Sequence, residues 1–473
     1  MTMPNGASPY LLIVGTLVIL AVVVAGLRGM RGGRGRSITD YFLGGHASGW
    51  RDLTASLVVT TLWGAWGAGL ELSFGADVFS WGLLAGVTIA GLLLLGFVLA
   101  PAYRDAGVMT IPAFLGKWCG DGRVRASVSL TLIVLTLFVR IPLTIIIGGR
   151  MLNTFFGWDP VTSALLVIVV PGFFAVAGGY AAMMAVHGMV SIVAVTGLLC
   201  AGTAGLLGSD LLAVTPNGGG GTEWMILVSG LLLNTFWTTG IDQSVVQRTA
   251  AAGSGTEARR GALTAAGVIG SIALVVMILV AWRPFGTASA GFWGGAVGSF
   301  LGSSILALAM AIISTDLVSV STLFTMDLFG RGREQADGSA FVLAGRLMAT
   351  VSVFVSIVAA SFLALLGEKV VPWLLDGYVV LAAPVVTVAL FVFIWPRVRG
   401  RGAFWALVAG LTAGAFHWIV EPQMMPLRTS VLLTALVVFA VTGIVLVGVS
   451  FVTAEGPANR RVSFGKRVEV RKP

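Results

Sequence analysis

The sequence predicts an all-α integral membrane protein with about 13 transmembrane helices. Composition is the first indication, because 57% of the 473 residues are hydrophobic and only 10% are charged, whereas soluble domains carry about 25% charged residues. The second is a series of apolar runs near the roughly 20 residues that a helix needs to cross a bilayer. The third is that Lys and Arg collect between alternate runs, as in loops on one side of a membrane.

The predicted spans follow one another along most of the chain. Each contains enough consecutive apolar residues to cross the hydrocarbon layer, and each is separated from the next by a more polar connection. They lie at 9–29, 52–74, 79–102, 126–149, 159–178, 182–207, 224–247, 260–283, 297–329, 340–366, 370–396, 402–420 and 429–453.

Basic residues indicate the orientation of these spans. With the N-terminus outside and the C-terminus cytoplasmic, only four fall outside: Arg150, Arg283, Lys369 and Arg428. Arg140 lies within a span, and the remaining 24 are cytoplasmic, including Arg248 in the loop after span seven. We therefore predict a multi-pass protein of the cell membrane. Its net charge of +9 reflects this topology and anionic lipid headgroups, so we expect no nucleic-acid partner.

Several function classes lack the residues that they need. The three histidines, His46, His187 and His417, lie on distant segments without zinc-ligand spacing, so we expect no enzyme activity, no transition metal and no enzymatic cofactor. The sequence has no Walker loop for ATP, and its two cysteines give no disulfide framework. A transporter and a transporter-like membrane sensor remain open.

The chain divides into a transporter region and two short ends. Residues 1–36 form an N-terminal helix with a basic loop, 37–453 the transporter, and 454–473 a basic cytoplasmic tail. The run Gly218–Gly221 separates a first block of five spans, about 50–207, from a second, about 222–396. Because five is odd, the second block enters the membrane from the opposite face, which gives an inverted repeat. One extra helix precedes this core, and two peripheral helices at 402–453 follow it.

The first span of each block is the expected place for a substrate site. Such sites lie near the membrane midplane, beside helices whose backbone is interrupted. Polar residues and glycines mark the middle of both segments, LVVTTLWGAWGAG at Leu57–Gly69 and LLLNTFWTTGIDQ at Leu231–Gln243. We therefore predict a broken helix in each, although a packing seam of small residues would give the same pattern in either segment alone.

Four segments resemble motifs of the sodium:solute symporter family. They are SITDYFLGGHASGW at Ser37–Trp50, GVMTIPAFLGKW at Gly107–Trp118, DQSVVQRTAAA at Asp242–Ala252 and STLFTMDLF at Ser321–Phe329. Their order and spacing extend the resemblance over nearly the whole chain. The resemblance implies a LeuT-type fold with a five-plus-five inverted repeat, and alternating-access symport of a small solute driven by sodium.

The same resemblance implies where the coupling ion binds. In the family it lies between the break in the first core helix and two hydroxyl groups of the eighth. Mapped onto this sequence, the ligands are the carbonyls of Val59, Leu62 and Ala311 and the hydroxyls of Ser314 and Thr315. Such oxygens suit sodium because they replace its water without requiring a full charge.

Asp316 directly follows this Ser–Thr pair and lies deep in an apolar span. A charged side chain at the bilayer centre costs at least about 2.5 kcal/mol, and such residues are usually functional. We therefore expect Asp316 to be an added ion ligand or a proton carrier. The alternative is a structural ion pair with Arg140.

Three features depart from the family pattern. The Ser314–Thr315 pair stands three residues closer to STLFTMDLF than in the family, His187 replaces an acid on the ion's exit route, and Asp242 replaces an amide. The coupling ion is therefore sodium or, as the alternative, a proton, since histidine and buried acids can both carry protons. His187 can equally be a hydrogen-bonded core residue.

Arg140 lies too deep in its span to reach the interface, so it needs an anion. The candidates are Asp316, Asp242, Glu71 and a substrate carboxylate, and the planar guanidinium favours an organic acid or amino acid over a neutral sugar. With Arg140, the predicted substrate-binding residues are Trp63, Trp66, Thr235, Thr238 and Asp242. The expected partners are a small-molecule substrate, sodium and the lipid bilayer.

Overall fold

The structure is a computed structural model that describes residues 9–32, 37–71, 78–156, 158–206, 221–281, 292–331, 338–420 and 430–453. Helices fill nearly all of these ranges, because a backbone surrounded by lipid must satisfy its own hydrogen bonds. The loop 33–36, most of the Gly218–Gly221 run and the tail 454–473 lie outside the described residues.

Seventeen α-helices follow one another along the described part of the chain. The first nine are α1 Pro9–Gly32, α2 Ile38–Leu43, α3 Trp50–Glu71, α4 Val78–Leu94, α5 Ala100–Ala106, α6 Ile111–Cys119, α7 Gly122–Leu135, α8 Ile141–Phe156 and α9 Pro160–Leu206. The others are α10 Gly221–Thr235, α11 Gln243–Ala251, α12 Gly255–Ala281, α13 Phe292–Leu323, α14 Gly338–Ala364, α15 Val370–Ile394, α16 Gly400–Val420 and α17 Ser430–Val452. Four π-helical turns join or extend them, at Leu95–Leu99, Thr136–Arg140, Phe236–Ile241 and Phe324–Phe329.

Ten helical stretches in the described ranges are long and apolar enough to cross a membrane. They begin with Ile13–Arg31 and end with Leu432–Val452. The all-helical, multi-pass class is therefore confirmed, whereas the count of thirteen spans stays a prediction. Two of the predicted spans, 159–178 and 182–207, overlap the same single stretch, Val161–Leu199.

A sharp bend at Gly179 divides the long helix α9. Gly179 has φ 58° and ψ −140°, a conformation that glycine adopts at little cost because it has no Cβ. A Cβ at this position would lie 2.5 Å from the carbonyl oxygen of Tyr41. The Tyr41 hydroxyl in turn donates to the carbonyl of Ala175 at 3.0 Å. The helix α2 therefore packs against α9 at this bend.

The helix α13 lies at the centre of the molecule. All of its residues from Gly302 to Leu323 are buried, whereas in α14 only eight of 27 residues are buried. Helices α1, α3, α8 and α9 pack against α13. Side chains on outer helices are exposed instead, such as Phe362 at 69% and Ile419 at 68%. A polar residue in the middle of α13 therefore faces protein, not lipid.

The interruption predicted at Leu57–Gly69 is wrong, because α3 runs unbroken from Trp50 to Glu71. The Thr60 hydroxyl bonds back to its own helix, at 3.1 Å from the carbonyl oxygens of both Ser56 and Leu57. A hydroxyl satisfied in this way adds polarity without opening the backbone. Glycines in mid-span likewise permit unwinding but do not require it.

The interruption predicted at Leu231–Gln243 is confirmed, and it lies at Asp242. The helix α10 continues into the π-helical turn Phe236–Ile241, after which Asp242 has ψ 137°, outside the helical range. Asp242 then caps α11 by accepting from the backbone N–H of Ser244 at 2.9 Å, a common role for Asp. The Tyr103 hydroxyl supports the turn by donating to the Gly240 carbonyl at 2.9 Å.

Candidate functional site

A cavity of about 110 Å³ lies between α3, α10, α13, α15 and the π-helical turn before α8. Its volume exceeds several-fold the roughly 10–15 Å³ that one water molecule needs. Five of the predicted site residues line it: Trp63, Arg140, Thr238, Asp242 and Asp316. Thr60 and Tyr378 line it as well. The chain thus brings its deeply placed charges and the predicted substrate residues to one place.

Arg140 lies at the end of a π-helical turn and contacts two carboxylates. One terminal nitrogen, NH1, is 2.6 Å from Asp242 Oδ2, and the other, NH2, is 2.9 Å from Asp316 Oδ1. The guanidinium also lies over the ring of Tyr378, 5.6 Å from its centroid. Two of the four candidate anions, Asp242 and Asp316, therefore lie beside Arg140. Tyr378 was not predicted, because a tyrosine within an apolar span gives no distinctive signal.

Asp242 is well satisfied by its neighbours. Its Oδ1 accepts from the backbone N–H of Ser244 at 2.9 Å and from the Ser244 hydroxyl at 2.6 Å, while its Oδ2 accepts from Arg140. These bonds hold the carboxylate at the break between two helices, where the backbone N–H groups of α11 point toward it. Asp242 is therefore a fixed partner of Arg140.

Asp316 is held much less well. It is 1% exposed, and neither carboxylate oxygen accepts a hydrogen bond from the residues that the structure describes. The contact with Arg140 NH2 at 2.9 Å is close enough for an ion pair but is not aligned as a hydrogen bond, so we count it as charge attraction alone. A buried acceptor without hydrogen bonds costs about 1–3 kcal/mol, and more when it is charged. Asp316 is thus the unsatisfied group of the cavity.

The residues predicted to hold sodium lie on α3 and α13, two helices that pack against each other, but most of their polar atoms have partners in the protein. The Ala311 carbonyl accepts from the Ser314 hydroxyl at 2.7 Å and from the Thr315 hydroxyl at 3.1 Å. Val59 and Leu62 lie within the unbroken helix α3, where backbone carbonyls accept helical hydrogen bonds. Sodium binding by these five residues stays a prediction.

Arg248 does not lie in a loop, as predicted, but in a helix beside the cavity residue Ser244. It lies in α11 and is only 1% exposed. Its Nε donates to the Ser56 hydroxyl at 2.6 Å, and its NH1 donates to the Ser244 hydroxyl at 3.0 Å. The four-residue spacing of Ser244 and Arg248 in DQSVVQR puts both on one face of a helix. That spacing was the signal that Arg248 faces inward.

Of the remaining substrate candidates, two line the main cavity, one borders a smaller cavity, and one has a side chain that the structure does not describe. Thr235 does not line the main cavity but borders a smaller one of about 20 Å³, which it shares with Thr238 and Thr60. The Trp66 side chain lies outside the described part of the structure. Trp63 and Thr238 line the main cavity. This position agrees with their predicted role in binding the solute.

Comparison with known proteins agrees with this geometry. The profile of the sodium:solute symporter family matches residues 41–304 and 292–410. Sodium/glucose cotransporter 2 of Rattus norvegicus is 27% identical, over 93% of this chain and 78% of that protein. Sodium/glucose cotransporter 4 of Danio rerio is 25% identical, over 94% of this chain and 80% of that protein.

Among solved structures, the fold is similar to that of a Na+-coupled sialic acid symporter in a substrate-bound outward-open state. The TM-score is 0.78 at 17% sequence identity, with 97% of this chain and 100% of that chain covered. A manganese transporter of Eremococcus coleocola is similar with a TM-score of 0.51 at 14% identity, over 86% of this chain and 94% of that chain. These likenesses establish a LeuT-type transporter fold. With the family profile matching most of its length, the chain belongs to the sodium:solute symporter family.

Proposed function

We propose that this protein is a secondary active transporter that couples a cation, sodium or a proton, to the movement of a small organic solute by alternating access. Membership of the sodium:solute symporter family supports the coupling. The names of its relatives, sodium/glucose cotransporters, support it as well. The cavity beside the broken helix at Asp242 supports a substrate site within the membrane.

The observation that carries this proposal is the state of Asp316. Its carboxylate is buried on the central helix, lines the cavity and accepts no hydrogen bond from the described residues. A carboxylate in this state is stabilised by a cation that supplies the missing contacts. Sodium and the proton both have that chemistry, and both are small enough to enter beside Arg140.

Competition for Arg140 explains how the cation and the solute are coupled. In the structure, Asp242 and Asp316 together take both terminal nitrogens of Arg140. A cation bound to Asp316 weakens the second contact and leaves NH2 of Arg140 to bind the solute. The solute then binds more tightly when the cation is present, and by linkage the solute tightens cation binding by the same factor.

Charge balance favours a solute that carries a carboxylate. A cation alone adds one positive charge to a buried site, whereas a cation together with a carboxylate adds none. The freed NH2 group of Arg140 is positively charged and donates hydrogen bonds, which suits a carboxylate. We therefore propose an organic acid or an amino acid as the solute.

A sugar is the second candidate, because relatives are named for glucose and mannose transport. Hydroxyl groups also line the cavity, including those of Thr60, Thr144 and Thr238. A neutral sugar would bind through these hydroxyls and would not need Arg140 to leave Asp316. The two candidate solutes therefore differ in whether binding requires Arg140.

Transport also requires that a closed side of the molecule open during the cycle. The end of α11 is held by His46, whose Nδ1 is 2.8 Å from the carbonyl oxygen of Ala250. Arg104 NH1 donates to the carbonyls of Ala250 at 3.1 Å and Ala252 at 2.9 Å. Under the orientation predicted from the basic residues this is the cytoplasmic side, so these bonds break in the inward-open state.

An uptake screen tests the proposal. Proteoliposomes with the purified full-length protein are offered radiolabelled sugars, amino acids and carboxylates under inward sodium, potassium or proton gradients. We expect concentrative uptake of a carboxylate-bearing solute under the sodium or the proton gradient. Uptake of sugars alone would refute the carboxylate assignment. No gradient-dependent uptake of any solute would favour a membrane sensor built on the transporter fold.

Two matched variants make the screen specific to the site. Asp316→Asn should abolish concentrative uptake, because the charge that binds the cation is lost. Asp105→Asn is the control, since Asp105 is an exposed acid near the end of α5, and its uptake should equal that of the unmodified protein. Equal concentrative uptake by both variants would remove Asp316 from the mechanism.

A further inference from the structure

His187 occupies the place between α3 and α13 where the family resemblance predicts sodium. Its Nδ1 is 2.9 Å from the Ser56 hydroxyl, and its Nε2 is 2.8 Å from the Thr315 hydroxyl and 3.1 Å from the Ala311 carbonyl oxygen. The side chain is fully buried. Two of the oxygens expected to face the ion, those of Ala311 and Thr315, therefore face an imidazole ring.

The hydrogen bonds around His187 have a consistent direction. Arg248 Nε can only donate, so the Ser56 oxygen accepts from it at 2.6 Å. The Ser56 proton then points to His187 Nδ1, which places the imidazole proton on Nε2, where it is donated toward Thr315 and Ala311. This assignment follows from the network and uses every polar hydrogen of the two side chains. Arg248, Ser56, His187 and Thr315 thus form one continuous chain of hydrogen bonds.

Arg248 also places a fixed positive charge beside this position. A guanidinium stays charged in proteins, and this one is 1% exposed and two hydrogen bonds away from His187. A cation between α3 and α13 would meet that like charge in a poorly screened interior. Asp316, the next residue after Thr315, offers the opposite charge and lines the cavity. Arg140 NH2 lies 2.9 Å from Asp316, but Asp316 supplies a carboxylate to bind the cation, whereas the groups hydrogen-bonded at the α3–α13 position, Arg248, Ser56, His187 and Thr315, include no carboxylate.

We infer that Arg248, Ser56, His187 and Thr315 form a permanent cross-link between α3 and α13 in the place predicted for sodium, so that the transporter binds a single coupling cation per cycle, at Asp316. This inference rests on the proposed function, because it assigns the number and the place of the cation in the same transport cycle. The unbroken backbone of α3 is consistent with it, since Val59 and Leu62 present no unwound carbonyls.

Sodium binding to the purified full-length protein tests the inference, with ²²Na⁺ as the probe in equilibrium dialysis. We expect one sodium per protein. Thr315→Val keeps the shape of the side chain and removes its hydroxyl, and Ser314→Ala removes the other; both should leave sodium affinity within about 3-fold of wild type. Asp316→Asn should lower it by more than about 10-fold. Size-exclusion profiles check that each variant is folded.

The outcomes separate the cross-link from the proposed function. Two sodium ions per wild-type protein, or a loss of more than about 10-fold with either hydroxyl variant, would overturn the inference even if transport is sodium-coupled. The wild-type count needs no variant, so it decides the matter if a variant misfolds. Absence of sodium binding, together with uptake driven by a proton gradient, would keep the cross-link and assign the coupling to a proton. The proposed function fails separately, when the unmodified protein shows no gradient-dependent uptake of any solute.

Discussion

Replacing Asp316 with Asn is the change that distinguishes a cation site from a structural ion pair. Asn keeps the shape of the side chain and removes its charge. Arg140 keeps its second partner, Asp242 at 2.6 Å, so the arginine is not left without an anion. The protein should therefore fold, and the effect of the substitution should appear in binding and coupling.

The magnitude follows from the burial of the carboxylate. Two unit charges about 4 Å apart attract by about 4 kcal/mol at an effective dielectric constant near 20. The cation loses hydration when it enters and Arg140 stays close, so we take about half of this, about 2 kcal/mol, as the net loss. At about 1.4 kcal/mol per factor of ten, cation affinity should fall by about 30-fold.

The assay measures solute binding by the purified protein over a range of cation concentrations, with the solute identified in the uptake screen. In wild type, solute affinity should rise as the cation is added. In Asp316→Asn, solute affinity without the cation should already match the wild-type value at saturating cation, because Asn no longer competes for Arg140. A wild-type cation dependence in the variant would refute the reasoning.

Three further predictions concern other parts of the molecule. Arg140→Lys should weaken solute binding by more than about 10-fold, because a single ammonium cannot replace the planar fork between two partners, as solute titrations would show. Gly179→Ala should lower the melting temperature by several degrees, since the new Cβ meets the Tyr41 carbonyl at 2.5 Å. Cys119 should react with maleimide far more slowly in the folded protein at pH 8 than in the unfolded one, because burial, with the carboxylate of Asp121 nearby, raises the pKa of its thiol to about 12.

Each of these three predictions has a control or an outcome that would contradict it. Arg51→Lys, at an exposed position, should not change solute affinity, and equal affinity for Arg140→Lys would leave Arg140 without a role in solute binding. Gly188→Ala in the same helix meets no atom within 4 Å, so an equal shift in the two glycine variants would show that the bend at Gly179 is not tight. Labelling of Cys119 at the rate of an exposed thiol would show that α6 opens readily.

The fold class could be predicted because lipid imposes strong rules on a sequence. Long apolar runs and the distribution of arginines identify a helical membrane protein, and the break at Asp242 follows from polar residues that the chain cannot leave facing lipid. The same signs failed at α3. The Thr60 hydroxyl bonds to its own helix there. The sequence alone does not distinguish such a hydroxyl from one that faces an ion.

The candidate site could be predicted in its charges but not in their pairing. The depth of Arg140 required an anion, and the two anions that the structure selects were among the candidates, yet only the packed helices show that both reach it. Arg248 was counted as a loop residue, because arginine near the end of an apolar run normally marks the interface. Its burial depends on Ser56, almost two hundred residues away in the sequence, which no local pattern reveals.

The central claim is that a cation at Asp316 releases Arg140 to bind the solute. An experimental structure determined with saturating cation and the transported solute tests it most directly. We predict that an oxygen of Asp316 contacts the cation, that Arg140 keeps Asp242, and that NH2 of Arg140 moves from Asp316 to the solute. A structure in which Arg140 stays on Asp316, with the cation bound between Val59 and Thr315 instead, would contradict the account.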